Sequence, residues 1–198
     1  WHSHMWSGIA LAPNGKLYCS PHTASKVLRI DPATDTTELI GDVLEQPGVA
    51  LWSGNIRWSG VALASDGKLY CAPHNASRVL RIDPATDTTE LIGDVLEETR
   101  SARNTLRWSG IALASDGKLY CSPHNASRVL RIDPATDATE LIGDDLSAHG
   151  EGSPPGHMWS GIAAAPDGKL YCSPSRASRV LRIDPATGAT ELIGDDLS

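Results

Sequence analysis

The sequence predicts an all-β propeller of four four-stranded antiparallel blades. Two observations carry that prediction. A 37-residue unit occurs four times without internal gaps, as Trp6 to Asp42, Trp58 to Asp94, Trp108 to Asp144 and Trp159 to Asp195. Each unit divides at turn signals into four short apolar runs, and none shows helical apolar spacing over 11 residues or more. Self-similarity at a fixed period of about 50 residues marks stacked supersecondary units, and a four-stranded meander at that period is a propeller blade. Units two and three differ at only 3 of 37 positions.

Unit three shows the elements in order. Gly110 to Ala114 is a short apolar first strand, with Trp108 just ahead of it. Ser115-Asp116-Gly117 is a tight hairpin turn, because Asp-Gly tolerates positive φ. Lys118 to Ser122 is the second strand, and Pro123 ends it. Arg128 to Ile132 is the third, followed by the turn Asp133-Pro134-Ala135-Thr136-Asp137. Thr139 to Gly143 is the fourth. Val129 beside Leu130 puts apolar residues on both sheet faces, so neighbouring blades must cover both.

The chain reads as one domain, residues 1–198, with blades at about 6–42, 58–94, 108–144 and 159–195. The linkers 43–57, 95–107 and 145–158 differ almost completely in sequence, and the last contains a Gly- and Pro-rich loop. In a four-strand meander these linkers leave the sheet at the same end as the loops joining strands two and three. Binding residues favour loops on a rigid scaffold, so this linker face is the expected functional face. A closed four-bladed monomer is the favoured arrangement. A homodimer forming an eight-bladed ring, or origin in a longer repeat array, are the alternatives, because exposed edges invite pairing.

Composition limits function. Asp and Glu number 24 against 17 Lys and Arg, which disfavours nucleic acid as a partner. No apolar run approaches the roughly 18 residues of a membrane span. The first residues, Trp1 to Met5, lack a signal-peptide segment, and cellular location stays open. Each unit carries one cysteine, Cys19, Cys71, Cys121 and Cys172, at the same repeat position. Four buried free thiols are expected, and no CxxC pair points to zinc.

Several repeated residues carry chemistry, each with a structural alternative. Trp6, Trp58, Trp108 and Trp159 either plug the gaps between blades or form aromatic stacking surfaces for a ligand. His22, His74 and His124 occupy the 2–3 loops, where unit four has Ser175. Three imidazoles and an open position suit a catalytic metal. A loop set outward from the axis would keep them too far apart, which leaves hydrogen-bonding or pocket roles. Asn75 and Asn125 begin Asn-Ala-Ser sequons, or else cap their loops. Asp31, Asp83, Asp133 and Asp184 precede Pro and suit Asx turns. Asp35, Asp87 and Asp137 follow four residues later, with Gly188 in unit four. Arg29, Arg81, Arg131 and Arg182 pair across strands with Glu38, Glu90, Glu140 and Glu191.

The stretch Gly-Ile-Ala-x-x-x-Asp-Gly-x-Leu-Tyr with Val-Leu-Arg-Ile-Asp-Pro-Ala-Thr-Gly, clearest from Gly161 to Gly188, resembles blades of streptogramin lyase and gluconolactonase-like propellers. The repeat order also resembles tachylectin-type sugar-binding propellers, and uncharacterised algal and protist repeat proteins with Trp-Ser-Gly and Ile-Asp-Pro-Ala-Thr units. These motifs build blades and imply a fold; no catalytic position carries over. The favoured function is a non-enzymatic ligand-binding or protein-interaction scaffold working through the linker face, with Trp6, Trp58, Trp108, Trp159, His22, His74, His124, Asn75 and Asn125 as candidate ligand-binding residues. The alternatives are a lectin with one pocket per blade, or a metal-dependent lyase or hydrolase. No cofactor, catalytic residue or metal ligand is assigned.

Overall fold

The computed structural model describes residues 4–44, 56–96, 106–149 and 157–197. Most of the first two linkers and half of the third lie outside the described residues. Blade 1 is β1 (Trp6–Leu11), β2 (Leu17–Pro21), β3 (Val27–Asp31) and β4 (Thr36–Ile40). Blade 2 is β5 (Trp58–Leu63), β6 (Leu69–Pro73), β7 (Val79–Asp83) and β8 (Thr88–Ile92). Blade 3 is β9 (Trp108–Leu113), β10 (Leu119–Pro123), β11 (Val129–Asp133) and β12 (Ala138–Ile142). Blade 4 is β13 (Trp159–Ala164), β14 (Leu170–Pro174), β15 (Val180–Ile183) and β16 (Thr190–Ile193). Each blade is an antiparallel meander in sequence order. The repeated Trp opens the first strand rather than preceding it.

The turns follow the expected chemistry. In blade 3, Gly117 N donates to Ala114 O at 3.1 Å and Ala114 N to Lys118 O at 2.9 Å, with Gly117 at φ 79°. The carboxylate of Asp116 accepts from Lys118 N at 3.0 Å and from the Tyr120 hydroxyl at 2.8 Å. The 3–4 turns are Asx turns: Asp31, Asp83, Asp133 and Asp184 each accept from the amide two residues on.

Strand pairing sorts every blade into two faces. In blade 1, Leu11, Leu17, Ile30 and Thr37 are in register, as are Ile9, Cys19, Leu28 and Leu39, and they form the front face. Ala10, Tyr18, Arg29 and Glu38 form the rear face. The rear of one blade packs on the front of the next, and β1, β5, β9 and β13 stand side by side at the inner edge. Their approach is close: a Cβ on Gly60 would lie 2.9 Å from Ser109 O, and one on Gly110 2.8 Å from Ser160 O. The core is therefore three interfaces rather than one centre. Tyr18, Val27 and Ile40 meet Trp58, Leu69 and Leu80, and the same set recurs at the next two boundaries.

The closed four-bladed ring is not what forms. Among the described residues, blade 4 does not pack on blade 1 as the other pairs do. Among the described residues the blades make an open arc, and nothing covers the front of blade 1 or the rear of blade 4. Near-identical interfaces impose a near-identical rotation at each step, and three such steps do not bring the ends together.

Candidate functional site

The linkers and the 2–3 loops share one end of the arc, as the topology requires. Each linker starts by pinning a leucine amide to the preceding loop: Leu44 N to Ser25 O at 2.9 Å, Leu96 N to Ser77 O at 2.8 Å, Leu146 N to Ser127 O at 2.7 Å. Each ends by threading between two loops. Arg57 N donates to His22 O at 2.7 Å, Arg107 N to His74 O at 2.5 Å, and Met158 N to His124 O at 2.6 Å. The Arg57 carbonyl then accepts three amides of its own blade, from His74, Asn75 and Ala76, at 2.9, 2.9 and 3.0 Å. Met5, Arg107 and Met158 offer the same hub in the other blades. This hub explains the Pro-His-Asn-Ala-Ser loop, which curls inward around one carbonyl.

That curl overturns the outward placement of the histidines. His22 Nδ1 lies 3.1 Å from the Trp58 carbonyl of the next blade, His74 Nδ1 2.6 Å from that of Trp108, and His124 Nδ1 3.3 Å from that of Trp159. A carbonyl only accepts, so Nδ1 carries the proton. The rings form a ladder beside the innermost strands, with centroids 5.9 Å apart for His22 and His74 and 5.2 Å for His74 and His124. His4 and His157 extend it at 6.5 and 4.4 Å. Neither was singled out from the sequence, although each precedes a Met-Trp-Ser-Gly segment. Burial lowers the His74 pKa to about 3 and that of His124 to about 4. His22 and His157 are lowered for the same reason. These four imidazoles are neutral near pH 7. Among the described residues, no three His, Cys, Asp or Glu side chains converge as metal ligands.

The other candidates are internal. Trp58, Trp108 and Trp159 are fully buried between blades, while Trp6, with no blade before it, is half-buried. Each indole Nε1 donates to a backbone carbonyl at the end of its own 2–3 loop, at 2.9 to 3.0 Å. The plug arrangement accounts for the three buried rings. Asn75 and Asn125 are buried as well, and Asn125 Oδ1 accepts from His157 N. The sequons are thus not surface sites in this fold, because their loops turn inward. The four cysteines are free and buried.

The sequence also missed what Asp87 and Asp137 do. Asp87 accepts from the Arg29 guanidinium and, at 2.9 Å, from the Tyr18 hydroxyl of blade 1. Asp137 accepts from Arg81 of blade 2 at 2.5 Å. The expected cross-strand pairs form too, and the Arg81–Glu90 separation is 2.6 Å. On the opposite face a groove of about 420 Å³ opens between blades 2 and 3, bordered by Asp66, Asp116, Lys118 and Asp133. Its acids are already engaged, Asp66 with Tyr70 at 2.8 Å and Asp133 with Lys118 at 3.0 Å.

Four meander blades packed inner edge to inner edge, rear on front, decide the architecture. The chain is a β-propeller repeat protein. No protein-family model matches this propeller, and no curated protein does. It is similar to solved propellers in fold. Virginiamycin B lyase from Staphylococcus aureus superposes with a TM-score of 0.68 at 16% identity, over 96% of this chain and 55% of that one. A Bacteroides thetaiotaomicron protein of unknown function gives 0.66 at 19% identity, over 99% and 46%. An auxiliary nutrient binding protein from the same organism gives 0.61 at 13% identity, over 98% and 43%. This propeller spans about half the length of those chains. No helix in the described residues is long and apolar enough to cross a membrane.

Proposed function

We propose that this propeller is a binding or interaction module that recognises its partner through the face formed by the linkers and the 2–3 loops. One observation carries the reading: the segments in which the blades differ most are hydrogen-bonded at both ends to that single face. Repeated chemistry on this face is already committed. His74 and His124 are neutral and bonded to Trp carbonyls, and three of the four repeated indoles are enclosed. Selectivity then rests with the linkers, whose described ends are anchored in a row to a stiff scaffold, together with the exposed Ser175 and Arg176. Adjacent weak contacts in such a row add through avidity. A sugar pocket in every blade would need an open aromatic face in every blade, so the burial favours an interaction module over a lectin.

Tethering tests this. The native thiols are buried, so a single new surface cysteine directs attachment. Ala85→Cys attaches the protein by the turn face and His149→Cys by the linker end, both at exposed residues. Each form is screened with a displayed peptide library and a glycan panel. Peptides retained by the Ala85→Cys form and lost from the His149→Cys form support the proposal. Peptides retained equally by both overturn it, and retention of glycans alone transfers the role to a lectin.

A further inference from the structure

We propose that the rear of blade 4 is the seat for the front of blade 1 of a second copy, so that two chains close an eight-bladed ring through two identical head-to-tail junctions. The internal interfaces supply the template, and both open faces carry its parts.

The front of blade 1 is apolar and bare. Ile9, Leu11 and Leu39 are 54%, 58% and 52% exposed, whereas Val61, Leu63 and Leu91 at the same places in blade 2 pack into the core. Leu17, Leu28 and Ile30 are half-buried, and their counterparts Leu69, Leu80 and Ile82 are enclosed. The rear of blade 4 is bare in the matching places. Tyr171, Val180 and Ile193 are half-buried where Tyr120, Val129 and Ile142 are buried, and Leu197 is exposed where Leu44 and Leu146 are not.

Charge and shape then fit. The rear-face arginines of blades 1 and 2 each serve an aspartate in the next blade, Arg29 serving Asp87 and Arg81 serving Asp137, whereas Arg131 of blade 3 faces Gly188. Arg182 is the last of these arginines, and among the described residues its ion pair is with Glu191 of its own blade. Asp35 is the first of these aspartates. It holds φ 53°, a region unfavourable for most side-chain-bearing residues, and among the described residues no blade packs on its side. Gly188 shows that glycine also fills this turn position, and the proposed seating would bring Arg182 of the second copy to Asp35. Glycine and threonine repeat the pattern. A Cβ on Gly41, Gly93 or Gly143 would collide with Thr89, Thr139 or Thr190 of the next blade, whereas nothing lies within 4 Å of Gly194 and Thr37 is exposed. At the hub, Met5 is 55% exposed while Met158 is fully buried. Finally, the chains on which this arc superposes continue for about as much length again, which is what a second copy supplies. A heterologous contact closes a ring when its rotation permits, and here that rotation is already set by the three internal interfaces.

Native mass spectrometry and light scattering across a dilution series test the proposal on the unaltered chain. A species of twice 21.0 kDa is expected. Leu39→Glu, at a position exposed in the single chain, should convert it to a monomer with an unchanged near-ultraviolet circular dichroism spectrum. Asp35→Arg and Arg182→Asp should each raise the dissociation constant about tenfold, and both together in one chain should restore it. If Leu39→Glu unfolds the protein, the charge-reversal set decides alone. A monomer throughout overturns the proposal. So does a dimer indifferent to these substitutions, or a ladder of species beyond the dimer.

Discussion

Arg81 Nη1 lies 2.5 Å from Asp137 Oδ1, across the boundary between blades 2 and 3, while its other terminal nitrogen holds Glu90 of its own blade at 2.6 Å. One guanidinium thus ties a strand to its neighbour and a blade to the next. At the boundary of blades 3 and 4 Gly188 stands where the aspartate would be, with open space around it. Gly188→Asp supplies Arg131 with the missing acceptor and should be more stable than Gly188→Asn by about 0.5 kcal/mol, the usual worth of a half-exposed ion pair, since both variants place a side chain at φ 73°. Asp137→Asn, which keeps a side chain at φ 58°, should cost a similar amount, about 0.5 to 1 kcal/mol. Urea denaturation of the three variants checks the pair of signs, and a Gly188→Asp form no more stable than Gly188→Asn would count against the bridge.

Acid should loosen the fold early. The pKa of His74 falls to about 3 and that of His124 to about 4 on folding, chiefly through burial. An unfolded histidine titrates near 6.5, so below that pH the unfolded chain takes up protons that the folded chain refuses. Stability is full above pH ~6.5 and drops as pH falls toward about 4 for His124 and about 3 for His74. Each group contributes at most about 1.4 kcal/mol per pH unit. The urea midpoint should decline steadily from pH 6.5 to 4.5, and less steeply in His124→Gln. A flat profile through that window would show that the ladder does not sense protons.

Trp108 tests the plug. Its ring is fully buried between blades 2 and 3, and Nε1 donates to Arg128 O at 2.9 Å. Trp108→Ala removes most of a large buried side chain and should cost about 3 to 5 kcal/mol. Trp108→Phe keeps much of the volume but strands the carbonyl, for a smaller loss of about 1 to 2 kcal/mol. Calorimetry that ranks the two the other way would exclude a packing role.

The thiols report on burial and on the open front face together. Cys71 is pushed up to about 12 by burial, and Cys19, Cys121 and Cys172 are raised for the same reason. Thiolate is the reactive form, so all four should resist alkylation at pH 8 and react once the chain unfolds. Cys19, 7% exposed beneath the bare front of blade 1, should label first and should be shielded when a second copy seats there. Mass spectrometry after timed iodoacetamide exposure reads the order. Uniform rapid labelling of the native protein would sink the assignment. The raised pKa values also carry a sign: their stabilisation is complete below the unfolded thiol pKa of about 8.5 and is lost as pH climbs toward the folded values.

Local chemistry was legible in the chain. Asp116-Gly117 specifies a turn because glycine alone enters its left-handed corner freely, and Asp133 before Pro134 specifies an Asx turn. Arg131 opposite Glu140 follows from strand register. A hydrogen-bonding role for the histidines was legible, because the same His one repeat after another, always sixteen residues beyond the Trp, suits a shared structural bond better than a unique site; their inward placement was not. The inward curl that brings His74 to the Trp108 carbonyl depends on a hub carbonyl from Arg57, seventeen residues earlier, and on the neighbouring blade.

The sequence by itself determined the blade: four short strands, their turns, their two apolar faces, and the end from which the linkers leave. These follow from periodicity and turn chemistry within some forty residues. Only the tertiary structure decided that the histidines form a ladder, that the sequon asparagines are buried, that Asp87 and Asp137 bind the preceding blade, and that four blades leave an arc with two open faces. Those outcomes depend on the angle at which one blade packs on the next, a product of many side chains meeting across an interface that no local pattern records.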